Sequence, residues 1–324
     1  MARVFIVGSG VVGTATGRGF VQMGHEVTFV DVLPSRVDTL RSEGFDARVS
    51  IDLREERPAF IFLTLPTPNA GQRYDLTTFK QGVRDVGAAL AHADAVHTVI
   101  VRSTVPPLTT ERVVKPLLEE YSHKREGFDF CVASNPEFLR AASATDDFRW
   151  PWMTVIGATS KRVGERLRDL LAPFGGEIRL FDRPTTAEMI KCTHNIYNAA
   201  KISFWNEMWQ VCQALDIDHD QVAGTVARSA EGSFNPEYGI RGGAPYGGVC
   251  LPKDTNGFLG FAQSLEVSMP LLEAVVRVND AMITKMDREL EVLGDSAPQA
   301  RGTATPVTNL NGLGSPAGAN ASAH

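Results

Sequence analysis

A glycine-spaced turn close to the start constrains this chain more than any other feature. Gly8-Ser9-Gly10-Val11-Val12-Gly13 follows the β-rich run Arg3–Val7 and opens a helical pattern over 11–23. A strand, a GxGxxG turn and a helix in that order form a dinucleotide-binding unit. Gly8 permits the tight turn, Gly10 lets backbone approach a pyrophosphate, and Gly13 lets helix and strand pack closely. The phosphates belong at the helix N-terminus, where free N–H groups and the macrodipole attract anions. Val11 and Val12 supply the first of those N–H groups. Asp31 ends the next apolar run, 18 residues after Gly13. A carboxylate there holds both ribose hydroxyls and repels a 2′-phosphate, so the expected cofactor is NAD rather than NADP. Arg36 is close enough in sequence to soften that preference. A glycine turn that serves packing alone is the alternative.

The first 180 or so residues alternate short apolar runs with helical patterns. Strands are expected at Arg3–Val7, 26–31, 59–65, 97–103, 128–133, 152–156 and Glu177–Phe181, with helices at 76–92 and 107–121. Nearly continuous apolar strands separated by helices imply an α/β fold with a doubly wound parallel sheet of the Rossmann type, covered on both faces. After Pro184 the pattern becomes mainly α. Thr185 or Thr186 is placed to cap a helix that runs to about 214, and further helices are expected at 218–230, 253–264 and 270–293. The expected division is an NAD-binding domain at 1–183, a helical domain at 184–293 and a tail at 294–324. That tail holds 24 Gly, Ala, Ser, Pro, Thr or Asn in 31 residues, too little apolar area to order itself.

Composition narrows the function. Of 324 residues, 43% are hydrophobic and 22% charged, and the net charge is −6, without the basic footprint of a nucleic-acid binder. No apolar run is long enough for a membrane span. Four cysteines at 131, 192, 212 and 250 form no CxxC pair, so neither a zinc ribbon nor a dithiol motif is expected, and the thiols suit a cytoplasmic chain.

Cys250 stands apart from the other three. Gly247-Gly248-Val249-Cys250-Leu251-Pro252-Lys253-Asp254 sets a thiol between a glycine-rich loop and a Lys-Asp pair. Lys253 and a helix N-terminus both favour a thiolate. A thiolate attacks an aldehyde carbonyl, and the adduct can lose hydride. Asp254 is placed to orient water or to hold a general base. A buried structural cysteine is the alternative, and it is the reading for Cys131, Cys192 and Cys212. On the long helix, Glu188, Lys191, Asn195 and Asn198 are spaced 3, 4 and 3 residues apart and share a face. Lys191 and Asn195 can together serve an oxyanion, and a solvated polar stripe has the same spacing. Asn135-Pro136-Glu137-Phe138-Leu139-Arg140 and Arg102-Ser103-Thr104-Val105-Pro106 each follow a strand, at the end where α/β sheets bind ligands. Either is also an ordinary turn.

Together these pieces resemble the UDP-glucose/GDP-mannose dehydrogenase family over about residues 1–290. The match runs through the GxGxxG turn, Ser103-Thr104-Val105-Pro106, Asn135-Pro136-Glu137-Phe138-Leu139, Ala187-Glu188-Met189-Ile190-Lys191 with Asn195 and Lys201, and the Cys250 motif. The resemblance implies oxidation of a sugar-nucleotide primary alcohol to a carboxylate with two NAD. It implies Cys250 as nucleophile, Lys191 and Asn195 at the oxyanion, Asp254 assisting the base or water, and Glu137 with Thr104 in the acid–base network. It places Thr67, Thr104 and Lys253 at the cofactor. At the substrate it places Glu137, Phe138, Leu139, Arg140, Lys191 and Asn195, with Arg241, Tyr246 and Gly247 from the glycine-rich loop. No metal is implied. The long helix would build a homodimer.

Two departures stand against this pattern. Ala141 follows Arg140 where the family usually carries a Glu tied to thioester hydrolysis, with Asp146 or Asp147 as possible substitutes. The family also has a third, nucleotide-gripping domain of on the order of 100 residues, and after 293 only the tail remains. A related dehydrogenase acting on another or smaller alcohol, stopping at the aldehyde, is one alternative. A non-catalytic NAD-binding dimer is the other.

Overall fold

The computed structural model describes residues 1–139, 144–240, 242–248 and 250–295, the last six by backbone course alone. The chain divides into two units, Met1–Lys201 and Ile202–His324. In the first, β1 (Arg3–Val7), α1 (Val11–Gln22), β2 (Glu26–Val30), α2 (Pro34–Ser42) and β3 (Asp46–Arg48) lead to β4 (Ala59–Leu63). A small hairpin, β5 (Asn69–Ala70) and β6 (Arg73–Tyr74), precedes α3 (Thr77–Ala91) and β7 (His97–Val101). Next come α4 (Lys115–Ser122), β8 (Phe130–Ser134), α5 (Ala144–Arg149), β9 (Met153–Ala158), α6 (Lys161–Leu171) and β10 (Glu177–Phe181). Helix α7 (Pro184–Ala214) spans the unit boundary. In the second unit lie α8 (His219–Ser229), α9 (Glu231–Phe234), α10 (Cys250–Ser264) and α11 (Pro270–Asp295).

Eight strands form one sheet in the order β10-β9-β8-β7-β4-β1-β2-β3. All residues of β1, β4 and β7 are buried because both sheet faces are covered. Alternate side chains feed two cores: Val4, Ile6, Phe20, Phe148 and Phe174 lie on one face, and Phe5, Val7, Phe79, Val86 and Leu118 on the other. This is why the strands read as unbroken apolar runs.

The structure corrects the expected all-parallel sheet at one pairing. β8 and β9 run antiparallel, with Ala133 opposite Ala158 and Ser134 opposite Gly157, whereas every other neighbouring pair in the sheet is parallel. The helix between them, α5, has six residues. At 1.5 Å per residue it rises only about 9 Å. A second correction concerns the helix expected from 107. It opens instead as a π-helical turn, Thr110–Val114, after Leu108 at φ +77°. Helix α7 begins at Pro184, one residue before the expected threonine caps, with proline at the first helical position where its missing N–H costs nothing. Its start presses on β9, where a Cβ at Gly157 would lie 2.4 Å from the Arg183 carbonyl oxygen.

In the second unit Val211, Ala262 and Met269 form a small core with Met208, Phe258 and Leu272 around it. The buried Glu207 carboxylate accepts the Leu271 and Leu272 N–H groups at 2.5 and 3.1 Å, capping the start of α11. Among the described residues, no helix is long and apolar enough to cross a membrane.

His97 opens β7 fully buried, and its Nδ1 accepts the Ala59 N–H at 3.2 Å. Burial, followed by the Arg3 and Lys124 charges, pushes its pKa from 6.5 down to about 4. The folded state therefore binds this proton less readily than the unfolded chain. Stability is complete above pH 6.5 and falls as the pH drops toward 4, by up to about 3 kcal/mol. Chemical denaturation across that window is expected to show the loss. His97→Gln, which keeps an acceptor for Ala59 and does not titrate, is expected to flatten that part of the curve.

Candidate active site

The sheet reverses its winding between β1 and β4, and a crevice opens at their C-terminal ends. There the two strands are fastened: the Thr64 N–H donates to the Val7 carbonyl at 2.8 Å and its Oγ1 to the Gly8 carbonyl at 2.6 Å. Gly8 has φ +97°, and a Cβ on Gly13 would stand 1.9 Å from the Gly8 oxygen, so both positions require glycine. A Cβ on Gly10 would meet nothing within 4 Å, which leaves its backbone open to a ligand. Gly10 caps α1 with no side-chain bond, and the first amide seen bonding back is that of Thr14, to Gly10. Val11 is exposed and Val12 half-buried beside that open end.

Asp31 lies buried across from the turn. Its Oδ2 accepts the Ser9 N–H at 2.8 Å and the Ser9 hydroxyl at 2.6 Å, its Oδ1 accepts the Leu33 N–H at 3.0 Å, and Arg36 lies 3.3 Å from Oδ2. Burial works against its charge, but the bonds from Ser9, Leu33 and Arg36 outweigh burial and hold the carboxyl below the usual carboxylate range. Ser9 and Thr64 were not singled out from sequence. Ser9 occupies an unspecified position of the glycine motif, and Thr64 is legible only as the residue following a strand at the crossover. A cleft of about 960 Å³ joins these groups, running from Asp31, Arg36 and Val49 past Gly8, Gly10 and Thr67 to Ser103, Thr104 and Glu137. Thr67 Oγ1 donates to the Thr104 carbonyl at 2.7 Å, so the two threonines are fastened together at that end.

Glu137 meets α7 there. Its Oε1 lies 3.3 Å from Lys191 Nζ in a largely buried pair, and its Oε2 accepts the Leu139 N–H at 2.5 Å. Lys191 Nζ also stands 5.3 Å from the Phe138 ring centre. Phe138, Trp152 and His194 form an aromatic group, His194 stacking on Trp152 with ring centres 5.8 Å apart. One turn back, buried Glu188 accepts the Thr110 N–H at 2.7 Å and the Thr110 hydroxyl at 2.6 Å, and Cys192 Sγ reaches the Val105 carbonyl at 3.4 Å. Burial raises the Glu188 pKa despite the Thr110 bonds. Helix α7 is thereby tied to the loop that carries Thr104. The polar stripe divides: Glu188 and Lys191 are buried, whereas Asn195 and Asn198 are exposed.

In the second unit Cys250 is the first residue of α10 and is exposed. Lys253 Nζ donates to Asp254 Oδ1 at 2.5 Å. Tyr246 is half-buried, with its hydroxyl 3.5 Å from Thr255 Oγ1, and Gly247 is exposed. Cys212 is buried, and Cys131 and Cys192 are half-buried. Arg140, Ala141 and Arg241 lie outside the described residues, as does most of the tail. Among the described residues, no group of His, Cys, Asp and Glu is arranged to hold a metal.

Two family models match the chain: the NAD binding domain of the UDP-glucose/GDP-mannose dehydrogenase family over residues 44–175, and its central domain over 185–281. GDP-mannose 6-dehydrogenase of Pseudomonas aeruginosa is 32% identical over 305 residues, which cover 87% of this chain and 69% of that one. The chain belongs to the UDP-glucose/GDP-mannose dehydrogenase family. UDP-glucose 6-dehydrogenase of Haloferax volcanii is 34% identical, over 87% of this chain and 70% of that one. The crystal structure of a ternary complex of the Pseudomonas aeruginosa GDP-mannose dehydrogenase superposes with a TM-score of 0.80 at 32% identity, covering 88% of this chain and 70% of that one. This member is an NAD-dependent oxidoreductase acting on CH–OH donors. Its own residues fit that cofactor: the cradle at Gly8, Gly10 and Gly13 admits backbone contact with phosphates, and the Asp31 carboxylate faces the same cleft.

Gly13→Ala forces its new methyl against the Gly8 carbonyl. The expected outcome is a destabilisation on the order of 2 kcal/mol and NAD affinity weaker by at least about tenfold, read by thermal unfolding and calorimetric titration.

Proposed function

We propose that this chain is a sugar-nucleotide 6-dehydrogenase, oxidising the primary alcohol of a nucleoside-diphosphate hexose of the UDP-glucose or GDP-mannose type to the uronic acid. The observation that carries this reading is the buried Lys191–Glu137 pair, 3.3 Å apart at the end of the cofactor cleft. An ammonium held there beside a carboxylate is suited to alcohol and aldehyde oxygens rather than to phosphate binding alone. The named substrates of the relatives, GDP-mannose and UDP-glucose, give the substrate class.

In this reading Gly8, Gly10, Val11, Val12 and Gly13 receive the pyrophosphate, Asp31 the ribose hydroxyls, and Arg36 steadies Asp31. Thr67, Thr104 and Lys253 serve the other end of the cofactor. Phe138, Leu139, Arg140, Arg241, Tyr246 and Gly247 bind substrate. NAD, when bound, would accept one hydride in each of the two oxidations, and the alcohol proton of the first passes to the network of Glu137 and Thr104. The Cys250 thiolate adds to the aldehyde carbon, forming a C–S bond while the carbonyl electron pair moves to oxygen. Lys191 and Asn195 donate hydrogen bonds to that oxyanion. Loss of the second hydride leaves a thioester on Cys250. Water then attacks the thioester carbon, its proton passing to the network of Asp254, Glu137 and Thr104. The C–S bond breaks and the thiolate leaves with its electron pair. Cys250 opens α10, at that helix's N-terminus.

The same reading assigns residues 1–183 to NAD and 184–293 to a helical catalytic and dimerisation domain. It sets the reaction in the cytoplasm, where the four free thiols persist. Helix α7 exposes Ile202 and Trp209, seven residues apart on one face, a surface suited to a second copy of the chain. Light scattering is expected to give twice the chain mass, and Trp209→Lys to shift the protein toward monomer.

Incubation with UDP-glucose and GDP-mannose is expected to yield two NADH per uronic acid with at least one of them. Cys250→Ala is expected to lower acid formation by at least about 10³-fold. One NADH per substrate with an aldehyde product would overturn the four-electron reading, and no NADH from folded protein with either would overturn the substrate class.

A further inference from the structure

Arg102, at the end of β7, is buried at 5% exposure, and among the described residues no carboxylate lies within 4.0 Å of its guanidinium. A buried cation without such a partner is costly unless its donors are used. Here they are. Nε donates to Thr16 Oγ1 on α1 at 2.9 Å, and Nη1 donates to Asn135 Oδ1 at 2.6 Å and to the Asn135 carbonyl at 3.4 Å. The Phe148 ring covers the guanidinium, 5.1 Å from ring centre to Cζ. Asn135 in turn donates through Nδ2 to the Val155 carbonyl at 2.8 Å.

This chain of bonds sits where the sheet is weakest. The antiparallel pairing of β8 and β9 has two residue pairs, ending at Ser134 opposite Gly157. Beyond Ser134 the Asn135 side chain replaces the ladder by holding β9 directly. Two residues later Glu137 faces Lys191. Arg102 lines both the cofactor cleft and a small cavity of about 30 Å³ beside Asn135, Glu137 and Trp152. Burial lowers the Arg102 pKa to about 10, with the Glu137 charge acting in the opposite direction, so the cation feels that carboxylate.

We propose that Arg102 is a positioning residue for Glu137, acting through Asn135 to fix the Asn135-Pro136-Glu137 turn against β9 and α1. The inference rests on the dehydrogenase reading only for its kinetic arm. The planar fork explains why the residue is arginine. Lysine carries the charge but cannot serve Thr16 and two Asn135 acceptors in one plane.

The test uses Arg102→Lys, with Asn135→Ala as a second variant should the first fail to fold. The first readout needs no substrate. Amide exchange by mass spectrometry is expected to rise about tenfold in segment 134–139, which includes the Leu139 N–H held by Glu137, and to stay unchanged over 8–14. Unchanged exchange at 134–139 in the folded variants overturns the proposal whether or not the protein turns over a sugar nucleotide. The second readout is a mutant cycle. Arg102→Lys is expected to lower kcat about tenfold or more in the wild-type background, with the NAD dissociation constant unchanged, and to lower it less than about twofold in a Glu137→Gln background. Losses that multiply across the two backgrounds, or an equal loss of NAD affinity, overturn it. If the parent enzyme shows no turnover on any substrate while the exchange result holds, the functional reading fails and the positioning role stands.

Discussion

Everything at this site depends on how closely three stretches of backbone approach at the crossover between β1 and β4. Thr64 bonds to the Val7 and Gly8 carbonyls, Gly8 turns with positive φ, and Gly13 lies so near the Gly8 oxygen that no side chain fits. This contact sets the start of α1 at the mouth of the crevice. It also orients the turn so that the Ser9 N–H and hydroxyl reach Asp31. Because the strands on either side are buried on both faces, the crevice rests on a scaffold with little freedom to move.

A second set of restraints builds the far end of the cleft. Helix α7 is seated on Gly157 of β9, fastened to the Thr104 loop through Glu188 and Thr110, and paired with Glu137 through Lys191. One restraint joins α7 to β9 itself, and the others join it to the segments that follow β7 and β8. The polar groups involved are buried and bonded, so small displacements leave unsatisfied donors or charges. A site built this way holds its geometry without depending on long, solvated loops.

Much of this was legible in the residue string. The inner strands are unbroken apolar runs because both faces are buried, and α7 was readable from an expected threonine cap at 185 or 186, less than one turn past its start at Pro184, to its end near 214. The cofactor turn and Asp31 were readable because backbone demands select glycine and an acid at fixed spacing. Other features were not. Helix α2 buries only Val37 and Leu40 and leaves a faint pattern. The antiparallel return of β9 leaves no mark in the apolar pattern of the strand itself. Ser9 and Thr64 act through partners brought close by the crossover.

By itself the sequence determined the αβ alternation, the GxGxxG turn, the acid 18 residues after it, and the motifs at Glu137, Lys191 and Cys250, because local backbone sterics and side-chain chemistry are written residue by residue. Only the tertiary structure decided which of those residues share a charge and a hydrogen bond. The Lys191–Glu137 pair joins residues 54 positions apart, and the Arg102–Asn135 clamp joins residues 33 positions apart. Such pairings arise from strand order and helix seating, which follow from the packing of the whole sheet rather than from any single segment.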